Sequence, residues 1–374
     1  MLLYIARPVA AQSPGDGGVP IPARPSLSAG ADTNDSRSYL DYGEEWLVSD
    51  PKKARAAGYW AIRLDPTSSP ALLLYWRARW LTSPKLLERL ERGDMKESTS
   101  RAALAIDSLY WQAMVRDPFA VVGAAPGVYY FGTHARVREQ LAREPENVAL
   151  WVQEAARYYR AAQYDSAVAY VRSALSALEL QAGKARRPLY LSREIFHYAI
   201  GTAQFAAGDR NAARASFGMA LTENLAFHQA HAALASIAWT NWSDLPEAKR
   251  EFELALELRD DAVVRYDYGT VLLEARDPEA ALAQFERAIR AEPYFAPSYF
   301  NRALALDRLG RSAEATEAYL AFIERAPARL AEAVQQARGR VRALRAPVDT
   351  SAAAPPFSLS PFATTRWKPI FEPA

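Results

Sequence analysis

The chain has 374 residues, with 45 basic and 43 acidic side chains and a formal net charge of +2. Its length fits two or three domains or one elongated repeat array, and its balanced charge gives no indication of nucleic-acid binding. The sequence contains no cysteine. This excludes disulfides, thiol nucleophiles and cysteine-ligated zinc or iron–sulfur sites.

The amino terminus begins with a short apolar stretch, Met1 to Ala6, with no preceding positive charge. Val9, Ala10 and Ala11 follow, a small-residue pattern typical of a signal-peptidase site. The stretch is shorter than that of a normal signal peptide, so either the true start lies upstream or the pattern is accidental. The pattern predicts an exported protein, periplasmic or membrane-associated, and a cytoplasmic protein is the alternative. No apolar run is long enough to predict a transmembrane helix.

Residues 12–36 are rich in proline and glycine. Such a composition is typical of a linker that cannot bury enough apolar surface to order itself. Residues 1–36 are therefore predicted to be a signal remnant and a linker.

Residues 37–147 show large and small residues at helical spacing, but irregularly. One helix pair is indicated by Tyr39, Gly43, Trp46, Ala54, Ala61 and Pro66. Leu74 and Ala78 indicate a following helix, and its predicted partner contains Ile106, Tyr110 and Ala113. Residues 81–100 are an enlarged connection, and residues 119–147 form a further irregular unit. We expect degenerate repeats here, either within a solenoid or as a side lobe.

Residues 148–329 repeat regularly. Small residues occur every 34 positions, at Gly201, Ala235, Gly269 and Ala303. Large aromatic residues follow three of these small residues at one fixed distance, at Phe217, Phe285 and Tyr319, and Phe252 follows Ala235 one residue late. Prolines close two units at Pro293 and Pro327. An earlier unit has the same order of residues, at Trp151, Ala155, Tyr158, Tyr164, Ala167, Val171 and Ala174. Several independent positions thus share one period.

These residues resemble the tetratricopeptide repeat (TPR) family over residues 148–329. The resemblance implies an all-α, right-handed α-solenoid of antiparallel helix pairs, with a concave inner surface that binds proteins or peptides. Residues 330–345 are predicted to be a polar capping helix, which a solenoid needs at its end. Residues 346–374 are predicted to be a proline-rich extended tail.

The tail carries aromatic residues every four or five positions, at Phe357, Phe362, Trp367 and Phe371. These residues are predicted to anchor the tail in a groove of another protein. The alternative is a tail that packs along its own protein.

The sequence contains no pattern that predicts catalysis. It has no nucleophile elbow, phosphate-binding glycine loop or HExxH motif, so we expect no enzymatic activity, no cofactor and no metal. His228 and His231 have the spacing of a metal pair, but His231 occupies a packing position of the repeat, which favours a structural role. Glu251, Glu253 and Glu257 are predicted to lie on a solvated outer face.

The family's inner-surface positions predict an aromatic surface that binds a partner. The partner-binding residues selected in this way are Val152, Tyr159, Tyr198, Phe205, Trp239, Tyr266 and Phe300, with Gln229, Leu273 and Pro297 at related positions. Clustered exposed aromatics mark interfaces. The alternative is a register error of one position, which would make these residues ordinary inter-helix packing. Cationic residues are missing at the positions where chaperone-binding members hold a carboxylate, so a chaperone tail is disfavoured.

Three functions remain open at this point. The leading hypothesis is a non-catalytic scaffold or adaptor in the cell envelope that binds a protein partner through its concave surface. The second is a structural subunit of a larger complex, possibly in a membrane and held by its extended termini. The third and weaker one is a repeat protein that binds a glycan or a lipid-linked substrate.

Overall fold

The computed structural model describes residues 21–94, 96–120, 134–184 and 192–345, without the side chains of 134, 135 and 182–184. In these ranges the chain is all-helical and contains no strand, which confirms the predicted fold class. The helices are α1 Ser36–Trp46, α2 Pro51–Leu64, α3 Ser69–Leu81, α4 Pro84–Glu91, α5 Glu97–Arg116, α6 His134–Arg143, α7 Val148–Arg160, α8 Tyr164–Lys184, α9 Arg193–Ala206, α10 Arg210–Glu223, α11 His228–Trp242, α12 Leu245–Leu258, α13 Ala262–Glu274, α14 Pro278–Ala291, α15 Ala296–Arg308, α16 Ser312–Arg325 and α17 Ala331–Arg345, with a short 3₁₀ helix at Ala328–Leu330.

The chain forms two compact units. Among the described residues, the first contains those between 94 and 258, and the second combines residues 21–93 with residues 259–345. The predicted regular array of residues 148–329 is therefore shared between the two units. The predicted tail anchors Phe357, Phe362, Trp367 and Phe371 lie outside the described residues.

The first unit contains three helix pairs, α7 with α8, α9 with α10, and α11 with α12. We call the first helix of each pair its A helix and the second its B helix. Short turns join them, and the turn between α9 and α10 uses Gly208 with φ +89°, a conformation that glycine adopts readily. Close packing within a pair depends on the predicted small residues. At Gly201 a Cβ atom would lie 2.6 Å from the ring of Phe217.

The second unit contains two further pairs, α13 with α14 and α15 with α16, and α17 packs against α16. One face of α17 buries Ala333, Ala337 and Val341, which are spaced one helical turn apart. The guanidinium of Arg340 forms a bidentate ion pair with Asp307, at 2.6 and 2.7 Å. A helix thus covers the last repeat pair, at the position where a capping helix is predicted.

Helices α1, α2 and α3 also belong to the second unit and pack on one another. Gly58 of α2 meets the backbone of Tyr75 in α3 so closely that a Cβ atom would lie 2.9 Å from its Cα. Helix α3 therefore pairs with α2, whereas the sequence predicted a pair between α3 and the helix that contains Ile106 and Tyr110. That prediction is wrong, because those residues lie on α5 in the first unit.

The described part of the predicted linker, residues 21–35, contacts several helices of the second unit. Trp60 Nε1 donates a hydrogen bond to the carbonyl of Pro22 at 3.0 Å. Arg24 lies over the rings of Trp60 and Tyr39, and Asp32 accepts a hydrogen bond from the amide of Ala328 at 2.6 Å. The segment is thus held by contacts with residues elsewhere in the second unit.

A buried ion pair joins α2 to the turn after α14. Arg63 Nη1 lies 2.9 Å from Glu292 Oε2, with about a tenth or less of each side chain exposed. Next to it, the rings of Trp60 and Tyr294 meet edge to face at a centroid distance of 5.1 Å. The amino-terminal helices and the carboxy-terminal repeats thus share contacts that join residues more than 200 positions apart in sequence.

Candidate partner-binding surface

Helix α11 of the first unit is enclosed by other parts of the chain. In α11, every residue from His228 to Ala238 is buried except Leu234. An amphipathic helix that packs on one side only buries a single stripe of residues. Burial on more than one side indicates that another element covers α11 on the A-helix surface, which we define as the surface formed by α7, α9 and α11.

Helix α5 supplies this cover. Its residues Trp111 and Val115 belong to one apolar cluster with Tyr198 of α9 and with Ala233 of α11. The ring of Trp111 also lies edge to face against Phe227, which precedes α11, at 6.3 Å. Successive A helices are thus bridged by a helix that is not part of the repeat.

The chain continues along the same surface after α5 ends. Phe119 stacks on Tyr159 of α7 with parallel rings at a centroid distance of 4.1 Å. Arg160 Nη2 donates to the carbonyl of Phe119 at 3.4 Å. We call residues 109–119 the insert, because they fill the A-helix surface from α11 to α7.

The turn that directs Phe119 onto Tyr159 depends on Asp117. Asp117 Oδ1 accepts hydrogen bonds from the amides of Phe119 at 2.9 Å and of Ala120 at 3.1 Å. Burial raises the pKa of Asp117, and these amides and the nearby charge of Arg160 offset only part of the increase. The local geometry thus holds a carboxyl group in surroundings that disfavour its charge.

One series of predicted partner-binding residues lies three positions before the small residue of each repeat. In this series Tyr198, Tyr266 and Phe300 are at most 2 % exposed, because their rings pack inside the helix pairs against B-helix rings. These contacts are Tyr198 with Phe217, Tyr266 with Phe285, and Phe300 with Tyr319 and Phe322. The expectation that these three rings are exposed is wrong, and they form inter-helix packing. Val152, in the same series, is half-buried, and its role stays a prediction.

A second series lies four positions after the small residue and faces the insert. Tyr159 is buried under Phe119, so its expected exposure is also wrong. Phe205 is half-buried at the edge of the cluster around Trp111, with Arg210 3.8 Å from its ring centroid. Trp239 is half-buried as well. The partner-binding roles of Phe205 and Trp239 stay predictions.

The related positions are also enclosed. Gln229 and Leu273 are buried, and Pro297 is half-buried. In the second unit, Asn301 donates hydrogen bonds to the hydroxyl of Tyr266 and to Thr270 at 3.1 and 3.2 Å. Asn301, Tyr266 and Thr270 thus form a buried polar network and not an exposed surface.

His231, the second histidine of the predicted pair, uses both of its ring nitrogens in contacts within the protein. It is buried, and its Nδ1 lies 2.7 Å from Glu251 Oε2 and its Nε2 3.2 Å from the carbonyl of Leu225. Glu251 is therefore not on a solvated face as predicted, whereas Glu253 and Glu257 are exposed. Burial raises the pKa of Glu251, but hydrogen bonds from His231 and Arg250 outweigh it, and the net shift is downward.

Neither a metal cluster nor a membrane span is apparent in the part of the chain that the structure describes. Its His, Asp and Glu residues form no group of three or more that is placed to hold a metal ion. None of its helices combines the length and the apolar character that crossing a membrane requires.

Sequence reasoning missed the residues of the insert. Trp111 and Val115 are spaced one helical turn apart, which is the periodicity of one helical face, whereas Phe119 lies beyond the end of α5 at Arg116. The spacing of Trp111 and Val115 is equally compatible with a helix of a degenerate repeat, so it does not reveal the insert by itself.

Repeated helix pairs with small residues at a spacing of 34 define an all-α helical-repeat protein in the described part of the chain. The sequence model of the tetratricopeptide repeat family matches residues 296–329, which contain α15 and α16. Proteins with such repeats are generally non-catalytic scaffolds for protein–protein interaction. A search of the curated proteins found no match.

Several solved structures are similar to this chain at low identity. MamA is 18 % identical and covers 48 % of this chain and 92 % of its own, with a TM-score of 0.40. YrrB, described as a TPR protein with an unusual peptide-binding site, is 16 % identical, with coverages of 54 % and 97 % and a TM-score of 0.40. The Cut9–Hcn1 hetero-tetramer of APC/C is 14 % identical, with coverages of 81 % and 56 % and a TM-score of 0.43. Similarities of this size say nothing about what this chain binds.

Proposed function

We propose that the protein is a non-catalytic scaffold that binds a helical segment of a partner protein on the A-helix surface of its first unit. The observation that carries the proposal is that this surface holds a helix. Trp111 and Val115 are enclosed between α9 and α11, and Phe119 is stacked on α7. Amphipathic helices bind grooves in this manner, through apolar side chains spaced one turn apart.

We also propose that this scaffold works in the cell envelope. The support is the small-residue pattern at Val9, Ala10 and Ala11 after a short apolar stretch. Amino-terminal sequencing of the protein from separated cell fractions tests this part. A new amino terminus at Gln12 in the envelope fraction supports export, and an intact Met1 in the cytoplasmic fraction refutes it.

The structure gives less support to a small ligand or a glycan. A depression of about 210 Å³ lies between α8 and α9 and is lined by polar and apolar side chains that include Tyr164, Arg172 and Asp209. Ligand pockets are usually larger, with volumes of roughly 300–1,000 Å³. Tyr159 and Tyr198, which were candidates for stacking on sugars, are buried.

Affinity purification with matched variants tests the scaffold. The protein is tagged between α8 and α9 and isolated from membrane and soluble fractions, and its companions are identified by mass spectrometry. We expect a stoichiometric protein companion that is lost in Phe205→Ala/Trp239→Ala. The control is Leu254→Ala, which truncates an exposed side chain on α12. A companion that both variants retain equally, or no companion in either fraction, contradicts the proposed surface.

A further inference from the structure

We infer that the insert is an internal ligand of the A-helix surface, and that a partner helix with the same pattern of anchors displaces it. The expected partner segment is an amphipathic helix that carries an aromatic residue and, four positions later, a β-branched residue in its last turn, followed four positions later by a second aromatic residue in the turn after the helix. This inference rests on the proposed function, because it specifies the segment that the scaffold binds and how access to the surface is controlled.

The first support is the way the insert is anchored. Trp111, Val115 and Phe119 are 7 %, 1 % and 2 % exposed, and they contact different A helices. The first two pack between α9 and α11, and the third stacks on α7. Trp111 and Val115, one turn apart on α5, and Phe119, in the turn after the helix, bridge successive repeats, and the first two are spaced like the anchors of a bound amphipathic helix.

The second support is that the part of α5 before the insert is less buried than the A helix α11, with Thr99 and Ile106 as its buried residues. Arg101, Ala102, Ala105 and Asp107 are all exposed, and the preceding helix α4 has no buried residue. By contrast, α11 is buried along most of its length. Segments with few buried apolar contacts open locally at a lower free energy than the core.

The third support is the chemistry of the surface beneath the insert. It is apolar and includes small residues: Ala155 and Ala156 belong to the same cluster as Phe119, and Phe119 stacks on Tyr159. Small residues leave depressions that large side chains of another helix fill. Arg160, at the end of the surface, holds a backbone carbonyl, a contact that any peptide can make. The surface therefore selects for the anchors and not for one particular sequence.

A peptide-binding experiment on the full chain tests the inference. The probe is a fluorescein-labelled peptide of residues 97–120, and its binding is measured by fluorescence anisotropy. When the chain's own anchors are removed in Trp111→Ala/Phe119→Ala, we expect the peptide to bind on the order of tenfold more tightly than to the unaltered chain, because a larger fraction of molecules has an open surface.

Two controls accompany the measurement. A peptide that lacks the same two aromatic side chains is expected to bind neither protein. The full-chain variant Ala105→Ser changes an exposed position of α5 and is expected to bind the probe like the unaltered chain. A folded Trp111→Ala/Phe119→Ala variant that binds the probe no more tightly than the unaltered chain overturns the inference.

Hydrogen exchange of the unaltered chain gives an independent result if that variant does not fold. We expect the amides of residues 109–116 to exchange faster than those of α9 and α11, and to exchange faster still when the unlabelled peptide is added. Exchange of all three segments at one common slow rate would show that the insert is permanent core, and would overturn the inference. In that case a companion retained on the A-helix surface would still support the proposed function, so the two failures are distinguishable.

Discussion

Replacing Gly201 with alanine tests whether the 34-residue spacing of small residues reflects close helix packing. The added Cβ would lie 2.6 and 2.7 Å from two ring carbons of Phe217, about 1 Å closer than favourable carbon contacts. The ring is fully buried beside Tyr198, so it has no free space to move into. Overpacking of this kind costs about 1–3 kcal/mol, and the higher helix propensity of alanine returns about 1 kcal/mol.

Gly218→Ala is the matched control, because Gly218 lies in α10 of the same repeat and a Cβ there would meet nothing within 4 Å. This variant gains the same helix propensity without the clash, so its free energy of unfolding should exceed that of Gly201→Ala by about 1–3 kcal/mol. Urea unfolding followed by circular dichroism measures the difference. Equal stabilities of the two variants would refute the packing argument. If the argument holds, shortening the opposing ring by Phe217→Leu should restore part of the loss only in the Gly201→Ala background.

Two ionic contacts give further predictions. Arg63→Met leaves the buried carboxylate of Glu292 without its ion pair and should lower the free energy of unfolding by about 3–5 kcal/mol. Adding Glu292→Met should restore part of that loss, because it removes the unpaired charge. Urea unfolding of the single and double variants measures the effect, and no restoration in the double variant would contradict the argument. The second prediction concerns Glu251, whose pKa is lowered in the folded state. The stability that the ionised Glu251 side chain gives to the fold should be complete above the ordinary glutamate pKa of about 4.3. It should disappear as the pH falls through the lowered pKa. Thermal unfolding should therefore show Glu251→Gln to be destabilising at pH 7 and progressively less so below pH ~4, while the exposed Glu253→Gln changes little at either pH. A constant effect of Glu251→Gln across this range would contradict the argument.

The helix pairs were predictable from the sequence because their packing repeats. Two pairs place a glycine opposite a large ring, Gly201 with Phe217 and Gly269 with Phe285, and small residues recur at the intervening and following positions, Ala235 and Ala303, at a spacing of 34. A periodic constraint of this kind is visible in one sequence without an alignment. The short turns and the terminal helix α17 follow from the same logic, since a repeat array needs a cover at its end.

The contacts that the sequence did not reveal are those without a period. Arg63 and Glu292 approach each other across more than 200 residues, and no local pattern links them. Helix α3 has the apolar residues of a repeat helix, so its partner was assumed to be the next large helix in the chain. The partner is α2 instead, because Gly58 permits a close approach to Tyr75.

The exposure of Tyr159, Tyr198, Tyr266 and Phe300 was predicted incorrectly, because aromatic residues at inner positions have two distinct environments. Tyr266 sits three positions before its small residue and fills the space inside a helix pair, as its edge-to-face contact with Phe295 shows. Tyr159 sits four positions after its small residue and stacks on Phe119 from outside the pair. Only a residue four positions after the small residue shows what covers the A helices. The residue type alone does not distinguish this position from the one three before the small residue, since both hold aromatic residues.

Since Trp111 belongs to the covering element and not to the repeat, its truncation should have two effects of opposite sign. Loss of a buried ring weakens the first unit, because the apolar contacts with α9 and α11 disappear. The same loss opens the surface to an external helix and strengthens its binding. A core residue that only supports the fold would weaken both stability and binding when truncated. The relation between these two effects therefore distinguishes an internal ligand from an ordinary packing helix.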